Sequence, residues 1–207
     1  MLTALKQNIW RWRGVLIAVP TVAGVVILLR VAGFLQMLEL ASLDQLFLLR
    51  PPEAVDSRIL IVTINEADIQ KLQQYPITDA VLARLLNNLK RHNPTAIGLD
   101  IYRDLPQPPG HDALLKIFNS TPNLIGVQKI GSSSDSSPVA PPPALQQRDQ
   151  VGANDLPLDM DGKVRRGLLS ANTQAGDSVF SFGFKLAYLY LQRQGVDSNL
   201  TPDGHLY

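Results

Sequence analysis

The side chains able to do chemistry in this chain are mostly carboxylates, and they fall into three groups. Glu66 and Asp68 stand close together, Asp100 and Asp104 lie four residues apart, and Asp159 and Asp161 open the segment Asp159-Met-Asp-Gly-Lys-Val-Arg-Arg166. Two acids at the spacing of Asp100 and Asp104 can bind a cation or divide acid and base roles; a solvated or helix-capping pair is the plainer alternative. Asp159, Asp161 and Gly162 resemble the opening of a calcium loop, yet the twelfth position, which should be Glu, is Ser170. A tight turn with Gly162 at positive φ fits that segment better. Arg165 and Arg166 alternate on the strand after the turn, so either one of them turns inward and pairs with an acid or both are solvated.

Other chemistry is largely excluded. With no cysteine in 207 residues there is no disulfide, thiolate metal site or cysteine nucleophile. His92, His111 and His205 are scattered without metal-ligand spacing and read as ordinary surface or loop histidines. Neither a Ser-containing nucleophile elbow nor a Gly-rich phosphate loop occurs. The sequence carries no catalytic signature, and neither a cofactor nor a metal is expected.

The elements that must position these acids follow from hydrophobic periodicity. Arg58-Ile-Leu-Ile-Val-Thr-Ile64 is a continuous β-branched run, as in a strand buried on both faces. Thr78 can cap a helix carrying Val81, Leu82, Leu85, Leu86 and Leu89 on one face, ending near Asn93-Pro94. Thr95–Leu99 then reads as a second buried strand, which makes a parallel, right-handed βαβ unit. Asp100 would sit just past that strand, where open parallel sheets present ligand-facing residues, with Glu66 and Asp68 beyond the first strand at the same edge. Further on, His111–Phe118 reads as a short helix and Leu124–Ile130 as a third strand. Gly131–Pro143 is a low-complexity, mobile loop. The Asp159 turn feeds a strand to about Ser170, and Phe180–Gln194 is a helix with Phe182, Leu186, Leu189 and Tyr190 on one side. The expected class is α/β, a mixed, mostly parallel sheet flanked by helices, with one transmembrane helix in front.

That leading helix rests on Gly14–Leu29, which carries no charge. Continued past Arg30 to Leu35, with Arg30 snorkelling to a headgroup, the run reaches the ~20 residues a bilayer needs. Trp10 and Trp12 stand where an interfacial belt is expected, and a kink at Pro20 is tolerable in a span. A cleaved signal peptide, with Val31-Ala32-Gly33 as a mimic of its cleavage site, and a buried core helix are the weaker alternatives. Lys6, Arg11, Arg13 and Arg30 precede every acid, which leaves the rest of the chain at −3 out of a total of +1. The positive-inside rule therefore holds residues 1–13 in the cytoplasm and exports the chain beyond the span at 14–35. A near-neutral body argues against nucleic acid as a partner. Gln36–Arg50, stopped by Pro51-Pro52, reads as an amphipathic helix leaving the membrane.

The order of these pieces resembles the second type of CHASE domain, an extracellular sensor family attached to bacterial cyclases, histidine kinases and Ser/Thr kinases. The resemblance runs from about residue 37 to about 192. It is carried by Leu38-Glu-Leu with Asp44, Phe47 and Leu49-Arg50, by Asp56–Ile64 as a first strand, and by Tyr75-Pro76 ahead of the Leu-rich helix. Ile97-Gly-Leu-Asp-Ile101, Val151-Gly152 and Asp159–Arg166 complete it. There are departures: Asn65 stands where an acid is expected after the first strand, and Asp79 replaces the Arg of an aromatic-Pro-aromatic-x-Arg motif. If that Arg holds a ligand or a partner acid, this copy binds something different or nothing.

The resemblance implies an extracytoplasmic sensory or ligand-binding module, residues 36–207, on a single-pass inner (plasma) membrane anchor, without catalytic output in this chain. It also implies a C-terminally incomplete domain. A stimulus would bind at Glu66, Asp68 and Asp100 and must favour one arrangement of the juxtamembrane helix over another. Expected partners are the bilayer, an unknown small-molecule stimulus and a possible homodimer. The alternatives are a non-sensory, membrane-anchored assembly module and a periplasmic hydrolase using the Asp100 region.

Overall fold

The structure is a computed structural model that describes residues 2–131, 137–173 and 176–196. It divides into two compact units, Met1–Ile61 and Val62–Tyr207.

In the first unit, α1 (Leu2–Val31) continues without interruption through Pro20. Its segment Gly14–Val31 is long and apolar enough to cross a membrane. The few polar groups are satisfied locally, as lipid requires: Thr21 Oγ1 donates to the Ile17 carbonyl at 2.8 Å. After α1 the chain turns at Gly33 (φ +81°), and Arg30 Nε donates to Glu39 Oε1 at 2.7 Å. Helix α2 (Gln36–Leu49) comes next. The amphipathic expectation for it needs correction, because Met37, Leu38, Leu43 and Leu46–Leu49 are all exposed and the consecutive Phe47-Leu48-Leu49 face three directions. Polar and apolar side chains are interspersed around the helix, so it has no single apolar face.

A second correction concerns the expected first strand. Residues 59–65 form no ladder, and Leu60 and Ile61 are 85% and 79% exposed. β-branched runs favour extended backbone, but a strand exists only where a neighbour accepts its hydrogen bonds. Among the described residues, β1 (Ile97–Gly98) pairs with β2 (Leu124–Gln128) alone.

The second unit begins with α3 (Glu66–Leu72) and α4 (Asp79–Lys90), the latter capped by Thr78, whose Oγ1 accepts from Val81 N–H. After β1 come α5 (His111–Asn119), β2, the short α6 (Pro143–Gln146) and β3 (Val151–Ala153). The βαβ unit is therefore β1-α5-β2, one element later than the periodicity suggests. β1, β2 and β3 form a parallel sheet in that order, with Ile97 opposite Leu124 and Gly126 opposite Val151. The sheet is not the whole β content. β4 (Ser170–Asn172) and β5 (Ser178–Phe180) make an antiparallel hairpin, so Ser170 starts a strand where one was expected to end. Helix α7 (Phe182–Arg193) closes the order.

Strand alternation places Ile97, Leu99, Leu124 and Val151 on one face, in a core shared with Leu82 and Leu86 of α4 and Leu114 and Phe118 of α5. The other face lies under α7, and here two glycines permit close approach. A Cβ on Gly98 would meet the Leu186 and Phe182 side chains at 2.7 Å, and one on Gly152 would meet the Phe182 backbone at 2.6 Å. Of the expected loop 131–143, residues 132–136 lie outside the described residues, while Val139 pairs with Lys129 and Pro143 opens α6.

Backbone cannot yield as a side-chain tip can. Gly152→Ala should therefore destabilise the chain by about 1–3 kcal/mol, whereas Gly183→Ala, in an open helix position, should stabilise by about 0.5–1 kcal/mol. Urea titration of the full chain followed by circular dichroism reads both signs, and equal effects would refute this packing.

Candidate functional site

The N-terminus of α4 carries the most deeply buried charge of the described residues. Asp79 has no exposed surface. Its own N–H donates to the Gln107 carbonyl at 2.7 Å, while Gln107 N–H returns to Asp79 Oδ2 at 3.1 Å. Ala80 N–H donates to the Pro109 carbonyl at 2.9 Å, so the loop 100–110 is stitched to the start of this helix. An acid there also meets the favourable end of the helix dipole.

Two basic side chains meet the carboxylate. Arg103, whose side chain is 4% exposed, brings Nε to 3.4 Å from Oδ1 and donates from its Nη2 to the Ile77 carbonyl at 2.7 Å. Burial lowers the pKa of its guanidinium, and the negative charge of Asp79 opposes that drop. Asp79 Oδ1 and Arg103 Nε face each other as an ion pair without hydrogen-bond alignment, and neither has another partner. On the other oxygen, His111 Nδ1 lies 2.8 Å from Oδ2, with the ring 43% exposed. This corrects the reading of His111 as an ordinary loop histidine.

A cleft of about 260 Å³ opens beside these three side chains. Leu114, Leu115 and Phe118 of α5, with Pro106, Pro142 and Ala144, supply its apolar walls, and Asp79, Arg103 and His111 line its polar end. Asp104 also lines the cleft, in irregular chain rather than one helical turn from Asp100.

The acids singled out in the sequence are held by different partners. Asp68 Oδ2 accepts from Asn65 N–H while Asn65 Oδ1 accepts from Asp68 N–H, a reciprocal capping box at α3. Asn65, which replaces an expected acid, is thus the helix cap. Glu66 Oε1 accepts from the Gln70 side chain at 3.5 Å. Asp100 is exposed at the carboxyl end of β1, where Oδ1 accepts from Asn154 Nδ2 at 3.0 Å and Tyr102 Oη donates to Asn154 Oδ1 at 2.8 Å. Among the described residues no group of three or more His, Asp or Glu is placed to hold a metal.

The Asp159 segment is a turn, with Gly162 at φ +76° and Leu158 bridged to Val164. Arg165 faces inward at 4% exposure and Arg166 outward at 70%. Arg165 donates to Asp159 Oδ2 at 2.9 Å and to both oxygens of Asp161, at 2.8 and 2.6 Å; Arg166 also closes on Asp159. Arg166, then Arg165, hold the Asp159 carboxyl below the usual range, and Arg165 lowers that of Asp161 to about 2.

Asp79, Arg103 and His111 are the site residues that sequence reasoning missed. Asp79 is visible only as a departure from a motif, and its partners lie 24 and 32 residues downstream at no recurring spacing.

A family model described as the CHASE2 domain matches residues 21–205. No curated protein and no solved structure matches the chain.

Removing one partner of a buried pair strands the other charge. Arg103→Met should destabilise by about 3–5 kcal/mol, and adding Asp79→Leu should recover most of that loss; denaturant unfolding of the two variants checks it. The Asp159 clasp predicts a pH effect of known sign. Carboxyls held below their unfolded pKa near 3.9 stabilise the fold fully above that value and lose the effect as pH falls towards about 2. Arg165→Met should flatten the fall in urea midpoint between about pH 4 and 2. An unchanged slope would place the acid sensitivity elsewhere.

Proposed function

The chain belongs to the CHASE2 domain family, a family of extracellular sensory domains, and from that premise we propose that it is the extracytoplasmic, ligand-binding module of a membrane signal-transduction protein. The observation that carries this reading is the family match over residues 21–205. The bilayer is then its first partner, crossed once by Gly14–Val31. Lys6, Arg11 and Arg13 favour a cytoplasmic N-terminus and a periplasmic or extracellular domain on a bacterial inner membrane. The module binds and does not catalyse. Its stimulus is a small molecule, for which the apolar cleft beside His111 supplies a concave surface. Glu66, Asp68 and Asp100 are proposed as a second, polar contact surface, supported by the exposure of Asp100 at a strand end.

One observation favours a second reading. Helix α2 exposes Leu38, Leu46, Phe47, Leu48 and Leu49 among its polar residues, and apolar surface of that extent favours a partner that covers it. A membrane-anchored assembly module that pairs two copies through α2 would cover it.

Thermal unfolding of the full chain in lipid nanodiscs, screened against small polar and amphipathic metabolites, separates the two. For a sensor, a ligand at about 100 times its Kd adds about 2.7 kcal/mol and raises the midpoint by several degrees. Dimerisation that depends on chain concentration, with no compound shifting the midpoint, would support assembly instead.

A further inference from the structure

We propose that the cleft beside His111 is a binding site for a small, mainly apolar molecule bearing one hydroxyl, and that His111 Nε2 receives that hydroxyl. This deepens the sensory reading above and rests on it.

The chemistry follows from the tautomer. A carboxylate only accepts hydrogen bonds. Asp79 Oδ2, 2.8 Å from His111 Nδ1, therefore places the ring proton on Nδ1, and in the neutral ring Nε2 is left as an acceptor. The arrangement is that of a histidine oriented by a buried acid, with its second nitrogen available for other work. The ring is half-exposed and lines the cleft, whereas Asp79 is fully buried. His111 is thus the member of the ionic cluster that a ligand can reach without breaking any bond within it. Asp79 itself is held by Gln107 N–H and by Arg103 as well as by His111, so the orientation of the ring does not depend on the ligand.

The rest of the cleft sets the body of the molecule. Leu114, Leu115, Phe118, Pro106 and Ala144 offer no hydrogen bonds from their side chains, so burying apolar surface there is the main attraction. At about 260 Å³ the space lies below the ~300–1,000 Å³ of drug-sized pockets, which limits the occupant to something near a substituted single ring. Carboxylates fit poorly. They cannot donate to Nε2, and Asp79 and Asp104 repel them. A methyl ether of the same shape also fails to donate, and it strands Nε2 without its water.

Methyl-labelled full chain in nanodiscs tests the proposal with phenol, anisole, toluene and benzoate as probes. The readout is the methyl resonances of Leu114, Leu115 and Ala144, so partition of the probes into lipid does not register as binding. Phenol should shift these methyls and bind roughly 3- to 30-fold more tightly than anisole or toluene, the range expected for one hydrogen bond against a stranded acceptor. Benzoate should not shift them. In His111→Phe the preference for phenol over anisole should vanish while toluene still binds. If that variant does not fold, the same comparison is made in the double variant Asp79→Leu/Arg103→Met, where the ring loses its orienting acid and the preference should shrink. Equal binding of phenol, anisole and toluene in the parent chain would overturn the hydroxyl assignment while leaving a binding cleft and the sensory reading standing. No methyl shift with any probe would overturn the site itself, and the sensory reading would still be decided by the metabolite screen.

Discussion

The second unit is organised around one buried charge. Asp79 stands at the first turn of α4 with no exposed surface, and the side chains and N–H that meet its carboxylate come from the loop 100–110 and the start of α5. A carboxylate withdrawn from water costs several kcal/mol unless opposite charge and hydrogen bonds replace its hydration. Arg103, Gln107 and His111 must therefore converge on it, which fixes where the chain goes after β1. Backbone hydrogen bonds from Asp79 and Ala80 to Gln107 and Pro109 complete the attachment of this irregular, proline-rich loop to the helix.

The same demand shapes the cleft. The loop that satisfies Asp79 also brings Pro106 to the cleft that Leu114 and Phe118 line, and Asp79, Arg103, Asp104 and His111 are its polar side chains. His111 is both a ligand of the buried acid and part of the surface. A group that is structural on one nitrogen and exposed on the other couples a bound molecule to the fold, because its two roles share one ring. The Asp159 clasp is different. Its two arginines and two acids neutralise each other within a single turn, at which Leu158 is bridged to Val164, and none of the four lines the cleft beside His111.

Much of the architecture was legible along the chain. The α4 helix begins at the Thr78 cap and shows its Leu stripe, because capping and helical periodicity depend only on near neighbours. Helices α5 and α7, strand β2 and the turn at Gly162 obey the same local rules, whereas which of Arg165 and Arg166 turns inward was left open by their alternation. The strand expected at 58–64 did not form, although its composition suits one, because pairing requires a partner that composition does not specify. For α2 the apolar positions were read as a stripe when they are interspersed with polar ones around the helix.

By itself the sequence determined the apolar segment from Gly14, the family, and helices α4, α5 and α7, since each of these is written in runs and spacings of a few residues; the short α3 and α6 carry no such run. Only the tertiary structure brought the candidate site together. Glu66 and Asp68 turned to local duties at the start of α3, and Asp100 joined Asn154 and Tyr102 at a strand end. Asp79, Arg103 and His111, separated by 24 and 8 residues in the chain, became one cluster because a buried charge draws its partners from wherever the fold can bring them.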